Sequence, residues 1–153
     1  MKSRVTISCV ALLVCVSCEF PFWNDPSEYI GFVLAKIEDM GPDYSRDNPP
    51  YSAHVRMYPQ FINLSDRTIT GVCFKATFID SFGEEKYTTG ELTYYVTLEP
   101  GETNEMDTSW YWEDNPFMDS EPYDFIRPVL SNYMDIKITY IKIVFDDGEI
   151  INF

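Results

Sequence analysis

The feature that most constrains the fold is an alternating stretch bounded by a turn on each side, at residues 63–85. Every second residue in its centre is apolar, and the residues between are mixed, which is the period-two pattern of a strand with one buried face. Asparagine, serine and aspartate precede the strand and a glycine follows it, and these residue types favour turns. The expected buried residues are Val72, Phe74, Ala76 and Phe78.

Alternation of the same kind recurs before and after this strand. Residues 53–61 and 87–98 each predict a strand with one buried face, and Pro59 limits the first of them to an edge or a bulge. Residues 29–39 are densely apolar and fit either a first strand or a helix. Strands that return about every ten residues predict an all-β fold, an immunoglobulin-like antiparallel β-sandwich of about seven strands.

The C-terminal part predicts more strands and one long loop. Residues 103–112 continue the alternation, whereas residues 113–124 hold prolines and acids and predict a long acidic loop. Residues 125–134 fit only a short helical turn, because Pro128 limits a helix there. Near the end of the chain an Asp-Gly pair at residues 147–148 predicts a terminal hairpin with a two-residue type I′ turn.

Residues 1–17 have the pattern of an export signal. Lys2 and Arg4 precede an apolar run of about a dozen residues, which is shorter than the roughly 20 that a membrane span needs. The run ends in Ser17 directly before Cys18, and this ending resembles the lipobox of bacterial lipoproteins, in which the cysteine becomes the acylated first residue. Acylation of Cys18 would anchor the protein to the cell membrane or outer membrane. Ordinary secretory cleavage near the same bond is the alternative.

Cleavage would leave a short tether at residues 18–28 and one domain at residues 29–153. The tether has two prolines and no periodicity, so it predicts no regular structure. The whole chain carries a formal net charge of −14, and cleavage would make it more acidic by removing two bases and no acid. A surface of this sign repels nucleic acid and anionic lipid, which excludes both as expected partners.

Three short motifs resemble the extracellular bacterial immunoglobulin-like modules of the FxLYD type. They are an Asn-x-Ser turn, the end of the central strand followed by a turn, and a Leu-x-Pro-Gly-Glu turn. The matching residues are Asn63, Ser65, Ile69, Val72, Phe78, Asp80, Gly83, Leu98, Pro100, Gly101 and Glu102. The resemblance implies an immunoglobulin-like fold in an envelope-associated domain, and it implies no catalytic residue.

Few residues offer catalytic chemistry. His54 is the sole histidine, and no glycine-framed serine accompanies it, so we expect an exposed or hydrogen-bonded structural histidine. Cys73 would be the one unmodified thiol of the mature chain, and we expect it to be a small buried residue. One histidine and one thiol are too few for a typical zinc site.

Carboxylates remain as candidates for metal binding or catalysis. Six acids lie close together in sequence and offer hard oxygen ligands for calcium: Asp107, Glu113, Asp114, Asp119, Glu121 and Asp124. No EF-hand spacing is present, so a solvated acidic loop is favoured over a calcium site, and no other cofactor is expected. A small carboxylate-dependent envelope hydrolase is the alternative function.

Aromatic residues flank the same loop. Trp110 and Trp112 share the parity of the core positions and are expected to point inward, whereas Tyr111 is expected to face outward. Rings beside acids and amides are typical of surfaces that bind proteins or sugars. The sequence therefore predicts a non-enzymatic, lipid-anchored envelope lipoprotein that binds a protein or glycan partner through Tyr111, Phe117 and Tyr123.

Overall fold

The computed structural model describes residues 24–117, 121–130 and 135–153. A short 3₁₀ turn at Pro26–Glu28 leads into eight strands and one helix. These are β1 (Ile30–Met40), β2 (His54–Asn63), β3 (Ile69–Ile79), β4 (Glu85–Thr88), β5 (Leu92–Leu98), β6 (Trp110–Glu113), α1 (Glu121–Leu130), β7 (Asp135–Phe145) and β8 (Ile150–Asn152). The predicted signal segment and the predicted lipidation site Cys18 lie outside the described residues.

The strands form two antiparallel sheets that pack face to face. The first sheet has the order β1-β2-β6, and the second has the order β4-β3-β7-β8 with β5 also paired to β3. β4 and β5 occupy the same edge of β3, so together they act as one interrupted strand. Strands A, B and E of an immunoglobulin fold then correspond to β1, β2 and β6, and strands C, F and G to β3, β7 and β8. The predicted all-β, immunoglobulin-like sandwich is confirmed.

β3 lies at the centre of the second sheet, as its alternation predicts. Its four apolar positions are fully buried, and β7 pairs with it along its whole length. The opposite face of β3 is less exposed than expected, because Cys73 and Thr77 are also buried. Strands flank β3 on both edges and shield these small side chains, and the Thr77 hydroxyl bonds that of Thr88 at 2.9 Å. The prediction that Cys73 is a small buried residue is confirmed.

Aromatic rings join the two sheets across the core. The ring centroid of Phe74 lies 5.0 Å from that of Phe61 and 5.4 Å from that of Trp110, both in edge-to-face geometry. Phe78 and Trp112 form a similar pair at 5.5 Å. Edge-to-face pairs stabilise a core beyond the area they bury. The inward orientation predicted for Trp110 and Trp112 is confirmed.

Two predicted strands are shorter than the alternation indicates. Residues 87–98 are interrupted because Thr89 turns inward, where its hydroxyl accepts a hydrogen bond from the Ala76 N–H at 3.0 Å. Of residues 103–112, only the last three belong to a strand, β6. Before β6, the side-chain oxygen of Asn104 accepts from the Phe61 N–H at 2.6 Å and so replaces a strand partner of β2. Pro59 tolerates its position because β6 pairs with β2 only as far as Met57.

The helix α1 starts within the predicted acidic loop and extends past the predicted limit at Pro128. Pro122 lies in its first turn, where a missing N–H breaks no hydrogen bond. Tyr123 and Ile126 are both buried, so packing against the sandwich stabilises the helix. Within the described residues, no helix combines the length and apolar character needed to cross a bilayer.

The turns also differ from prediction in detail. The terminal hairpin has a three-residue loop, because the Gly148 N–H donates to the Phe145 carbonyl and the Phe145 N–H donates to the Glu149 carbonyl, both at 3.0 Å. Gly148 has a φ of 86°, which closes such a loop as a bulge, so the predicted two-residue type I′ turn is wrong. In the predicted tether, residues Pro26–Glu28 form a 3₁₀ turn capped by the side chain of Asp25.

Candidate functional site

The structure separates the three aromatic residues that were predicted to bind a partner. Tyr111 is exposed on β6, with its ring edge-to-face with His54 and its centroid 5.9 Å from the guanidinium carbon of Arg56. Phe117 is 94% exposed. Tyr123 is only 2% exposed, so the expectation that it lies at the surface is wrong: α1 turns its ring into the core.

The six candidate calcium ligands do not form one set in the described part of the chain. Asp107 accepts a hydrogen bond from the Tyr94 hydroxyl before β6 begins, whereas Glu113 bonds Ser52 at the other end of β6. Asp114 and Asp124 are exposed, and Asp119 and the side chain of Glu121 lie outside the described residues. Among the side chains that the structure describes, no three acids, histidines or cysteines come together as metal ligands.

A cleft of about 430 Å³ opens beside Glu113 and Phe117, at the end of the sandwich where β2 begins and β6 ends. Its walls are the loop between β1 and β2 and the segment after β6. The lining residues are Tyr44, Pro49, Tyr51, Ser52, Glu113, Asn115, Pro116 and Phe117. We call this the aromatic cleft, because Tyr44 and Tyr51 are exposed there together with Phe117.

Local hydrogen bonds hold the first wall of the aromatic cleft in shape. The Asp43 N–H donates to the Tyr51 carbonyl at 2.9 Å and closes the base of the loop. Arg46 bonds the Asp43 carboxylate at 3.4 Å and the Pro50 carbonyl at 3.1 Å, so it spans the loop from inside. The Ser45 N–H and hydroxyl lower the pKa of Asp43, which keeps this carboxylate charged.

The second wall is tied to the first. The Asp114 N–H donates to the Ala53 carbonyl at 2.8 Å, and the Ser52 hydroxyl donates to Glu113 Oε2 at 3.1 Å. Asn115 donates to the same oxygen of Glu113 at 3.4 Å and accepts from the Phe117 N–H at 3.0 Å. The backbone that carries the exposed Phe117 ring is therefore fixed, although the ring itself faces solvent.

His54 supports the aromatic cleft from behind. Its Nδ1 bonds the Ser52 carbonyl at 2.9 Å, and a carbonyl can only accept, so Nδ1 carries the proton. Nε2 then accepts from Arg56 at 3.1 Å, with Arg46 at 3.5 Å. Burial lowers the pKa of His54, and the two guanidinium groups act in the same direction. The prediction of a hydrogen-bonded structural histidine is confirmed.

A second cleft, of about 350 Å³, runs beside β5 and contains the acids Glu102, Glu105 and Asp107. A carboxylate-dependent hydrolase needs an acid whose pKa is raised, so that it stays protonated until it donates its proton. Every described carboxyl group with a shifted pKa is shifted downward, mainly by hydrogen bonds to the ionised form. These groups are Asp25, Glu38, Asp43, Asp80 and Asp147.

Sequence reasoning missed the two tyrosines of the first wall. The prolines and glycine of residues 41–52 predict a loop and indicate nothing more. The signal that could have identified them is the presence of Tyr44 and Tyr51 in a loop with no alternation to bury them. Their proximity to Phe117 depends on the pairing of β2 with β6, which no local pattern indicates.

The fold and this site together define a class: an immunoglobulin-like β-sandwich that presents an exposed aromatic cleft at one end. Comparison with known proteins adds no closer assignment, since the chain matches no family model, no curated protein and no solved structure. The resemblance to FxLYD-type modules therefore stays a prediction.

Proposed function

We propose that this protein is a non-enzymatic, lipid-anchored envelope protein that binds a protein or glycan partner through the aromatic cleft. The observation that carries the proposal is the exposure of Tyr44, Tyr51 and Phe117 on two walls that hydrogen bonds hold together. Aromatic rings contribute a large contact area with few rotatable bonds, and such residues often dominate the energy of an interface.

The fixed walls lower the cost of binding. A loop that must become ordered when it binds loses conformational entropy, and that loss reduces affinity. Arg46 and Asp43 already hold the first wall, and Glu113 connects it to the second through Ser52. A partner would therefore meet rings on a backbone that needs little further ordering.

The position of the aromatic cleft suits an anchored protein. The chain enters the sandwich at Tyr29, whose carbonyl accepts from the N–H groups of Leu64 and Ser65, next to the turn between β2 and β3. β1 then runs for 11 residues to the opposite end, a distance of about 35 Å at ~3.3 Å per residue. An acyl anchor on Cys18 would thus leave the cleft at the end far from the tether.

The number and arrangement of the acids in the aromatic cleft favour binding over hydrolysis. The aromatic cleft has one carboxylate in its lining, Glu113, whereas glycoside hydrolysis uses a facing pair. Glu113 accepts hydrogen bonds from Ser52 and Asn115 on one oxygen, so the one acid of the lining has no second carboxylate facing it.

The experiment is crosslinking on intact cells followed by recovery of the protein with its partner. We expect Tyr51→Ala and Phe117→Ala to abolish recovery of a partner that the unchanged protein captures, without a lower melting temperature. Tyr95→Ala is the matched control, because Tyr95 is 84% exposed on β5 and does not line the aromatic cleft. Equal recovery by all three variants would show that the cleft is not the binding surface.

A further inference from the structure

We infer that the aromatic cleft accepts a lysine or arginine side chain from an extended segment of a partner protein, with Glu113 as its counter-ion. The inference rests on the proposed function and deepens it, because it selects a protein rather than a glycan and states which side chain is recognised.

The charge of the lining is the first argument. Among its eight residues, Glu113 is the one acid, and none is a lysine or arginine. The whole chain has a formal net charge of −14, so the field around the cleft also attracts cations. Two guanidinium groups lie nearby, but Arg46 is already paired with the Asp43 carboxylate at 3.4 Å, and Arg46 and Arg56 both lie within hydrogen-bonding distance of His54 Nε2 rather than of Glu113.

The state of Glu113 is the second argument. Ser52 and Asn115 both donate to Oε2, and no described group donates to Oε1. Within the described residues, no lysine or arginine lies within 4.0 Å of this carboxylate, although the chain forms ion pairs elsewhere, such as Arg67 with Asp147 at 2.6 Å. Glu113 is thus a half-buried acid held in place with one oxygen open to a ligand.

The rings supply the second half of a cation site. A cation is attracted to the face of an aromatic ring, and the attraction grows as water is excluded. Tyr44 and Phe117 are largely exposed and Tyr51 is partly exposed, and none of the three takes part in a ring pair or a cation–π contact among the described residues. Pro49 and Pro116 add flat apolar surface beside them. The cleft is open, which suits a side chain from an extended segment that lies across it.

The polar groups of the lining disfavour a sugar. Recognition of a sugar needs several donors and acceptors that are free to bond hydroxyl groups. Here Ser52 and Asn115 already donate to Glu113, and the Asn115 oxygen accepts from Phe117. Besides these groups, the lining offers the anionic Oε1 of Glu113 and the hydroxyl groups of Tyr44 and Tyr51, and the single charged oxygen beside exposed rings favours a cation over a row of sugar hydroxyl groups.

The test is a titration of the purified full chain with blocked pentapeptides, followed through the NMR shifts of the backbone N–H groups of Asn115 and Phe117. The probes have arginine, lysine or glutamine as the central residue between glycines. We expect the arginine and lysine peptides to shift both signals in a saturable manner, and the glutamine peptide to bind at least about tenfold more weakly, because it lacks the charge.

Two substitutions that each remove one negative charge distinguish a specific counter-ion from general attraction by an acidic protein. Glu113→Gln keeps an acceptor for Ser52 and should weaken the arginine peptide about tenfold or more, whereas Asp114→Asn should change affinity less than about twofold, since Asp114 is exposed and does not line the cleft. Equal losses in the two variants would overturn the inference. A dispersed amide spectrum for each variant shows that it is folded.

Further probes separate this inference from the proposed function. If tetramethylammonium shifts the same signals as strongly as the arginine peptide, the cleft recognises a small cation and the inference of a protein side chain is overturned. If an uncharged oligosaccharide binds there and the peptides do not, the inference fails while the proposed function stands. The proposed function fails separately if crosslinked partners are recovered regardless of Tyr51→Ala and Phe117→Ala.

Discussion

Replacement of Asn63 by alanine is expected to destabilise the folded sandwich by about 2–4 kcal/mol. The side chain is buried, and its amide donates to the Leu98 carbonyl at 2.8 Å and to the Arg67 carbonyl at 2.7 Å. Its oxygen accepts from the N–H and the hydroxyl of Ser65 at 2.9 and 2.7 Å. One side chain thus joins the turn before β3 to the end of β5.

The magnitude follows from the burial of these partners. The hydrogen bond to Leu98 is buried and contributes about 1 kcal/mol or more, because alanine would leave the carbonyl without this donor. The bonds to Arg67 and Ser65 contribute somewhat less each, since both residues are only half-buried and water can replace part of the interaction.

Asn63→Asp tests the same bonds with almost no change in shape. The introduced carboxylate cannot donate, so it would face the Leu98 and Arg67 carbonyl oxygens with a buried negative charge, and its pKa would be raised. Its folded state would then bind a proton at a pH where the unfolded state does not. The destabilisation should therefore grow as the pH rises above the ordinary value of about 4.

The assay is urea unfolding of the full chain, followed by tryptophan fluorescence at pH 5 and pH 7. Asn152→Ala is the control, because Asn152 is exposed on β8, and it should change the free energy of unfolding by less than about 0.5 kcal/mol. The reasoning is refuted if Asn63→Ala behaves like this control, or if Asn63→Asp is no less stable at pH 7 than at pH 5.

Three further predictions concern the core, pH and the anchor. Phe78→Ala should lower the free energy of unfolding, measured in urea, by about 3–5 kcal/mol. Lys75→Ala, at a half-buried position, should lower it by less than about 1 kcal/mol, and similar losses in the two variants would contradict the assigned faces of β3. Because burial lowers the pKa of His54 in the folded state, the unfolded chain binds a proton at a higher pH than the folded chain does. The free energy of unfolding should therefore fall as the pH drops below about 6.5. His54→Gln should remove this pH dependence of the free energy of unfolding, and an unchanged pH dependence would contradict the assignment to His54. Cys18→Ala should release the protein from membranes, and intact mass should show acylation of the unchanged protein at Cys18; an unacylated chain with another N-terminus would contradict the anchor.

The strands were predictable where the burial of one face produces a local alternation of apolar and polar residues in the sequence. β3 alternates because one of its faces meets the opposite sheet, and the burial of Phe74 and Phe78 follows from that pattern alone. The strand predicted directly before β6 is not formed, because the contact that replaces it leaves no such pattern in the sequence. There the side chain of Asn104 takes the place of a backbone partner, and a single asparagine within an alternating run does not indicate this.

The site was predictable in part. Phe117 was identified as exposed because it lies in a loop without alternation, and the structure agrees. Tyr123 was misplaced because the helix that buries it begins with an acid and a proline, which also fit a loop. Tyr44 was missed because the aromatic cleft forms only when two segments about 70 residues apart pack side by side, and such long-range contacts leave no local pattern.

The edges of the two sheets bear on how copies of this chain meet at high concentration. β4, β6 and β8 have only three or four residues each. The longer edge strands are irregular, because β1 has a register shift between Phe32 and Leu34 and the pairing of β5 with β3 has one between Ile69 and Gly71. Lys36 and Glu38 add charge to β1. Long, flat, uncharged edges pair with one another and cause aggregation. Short and irregular edges oppose such pairing, so copies of the chain in a concentrated solution are not expected to assemble into fibres.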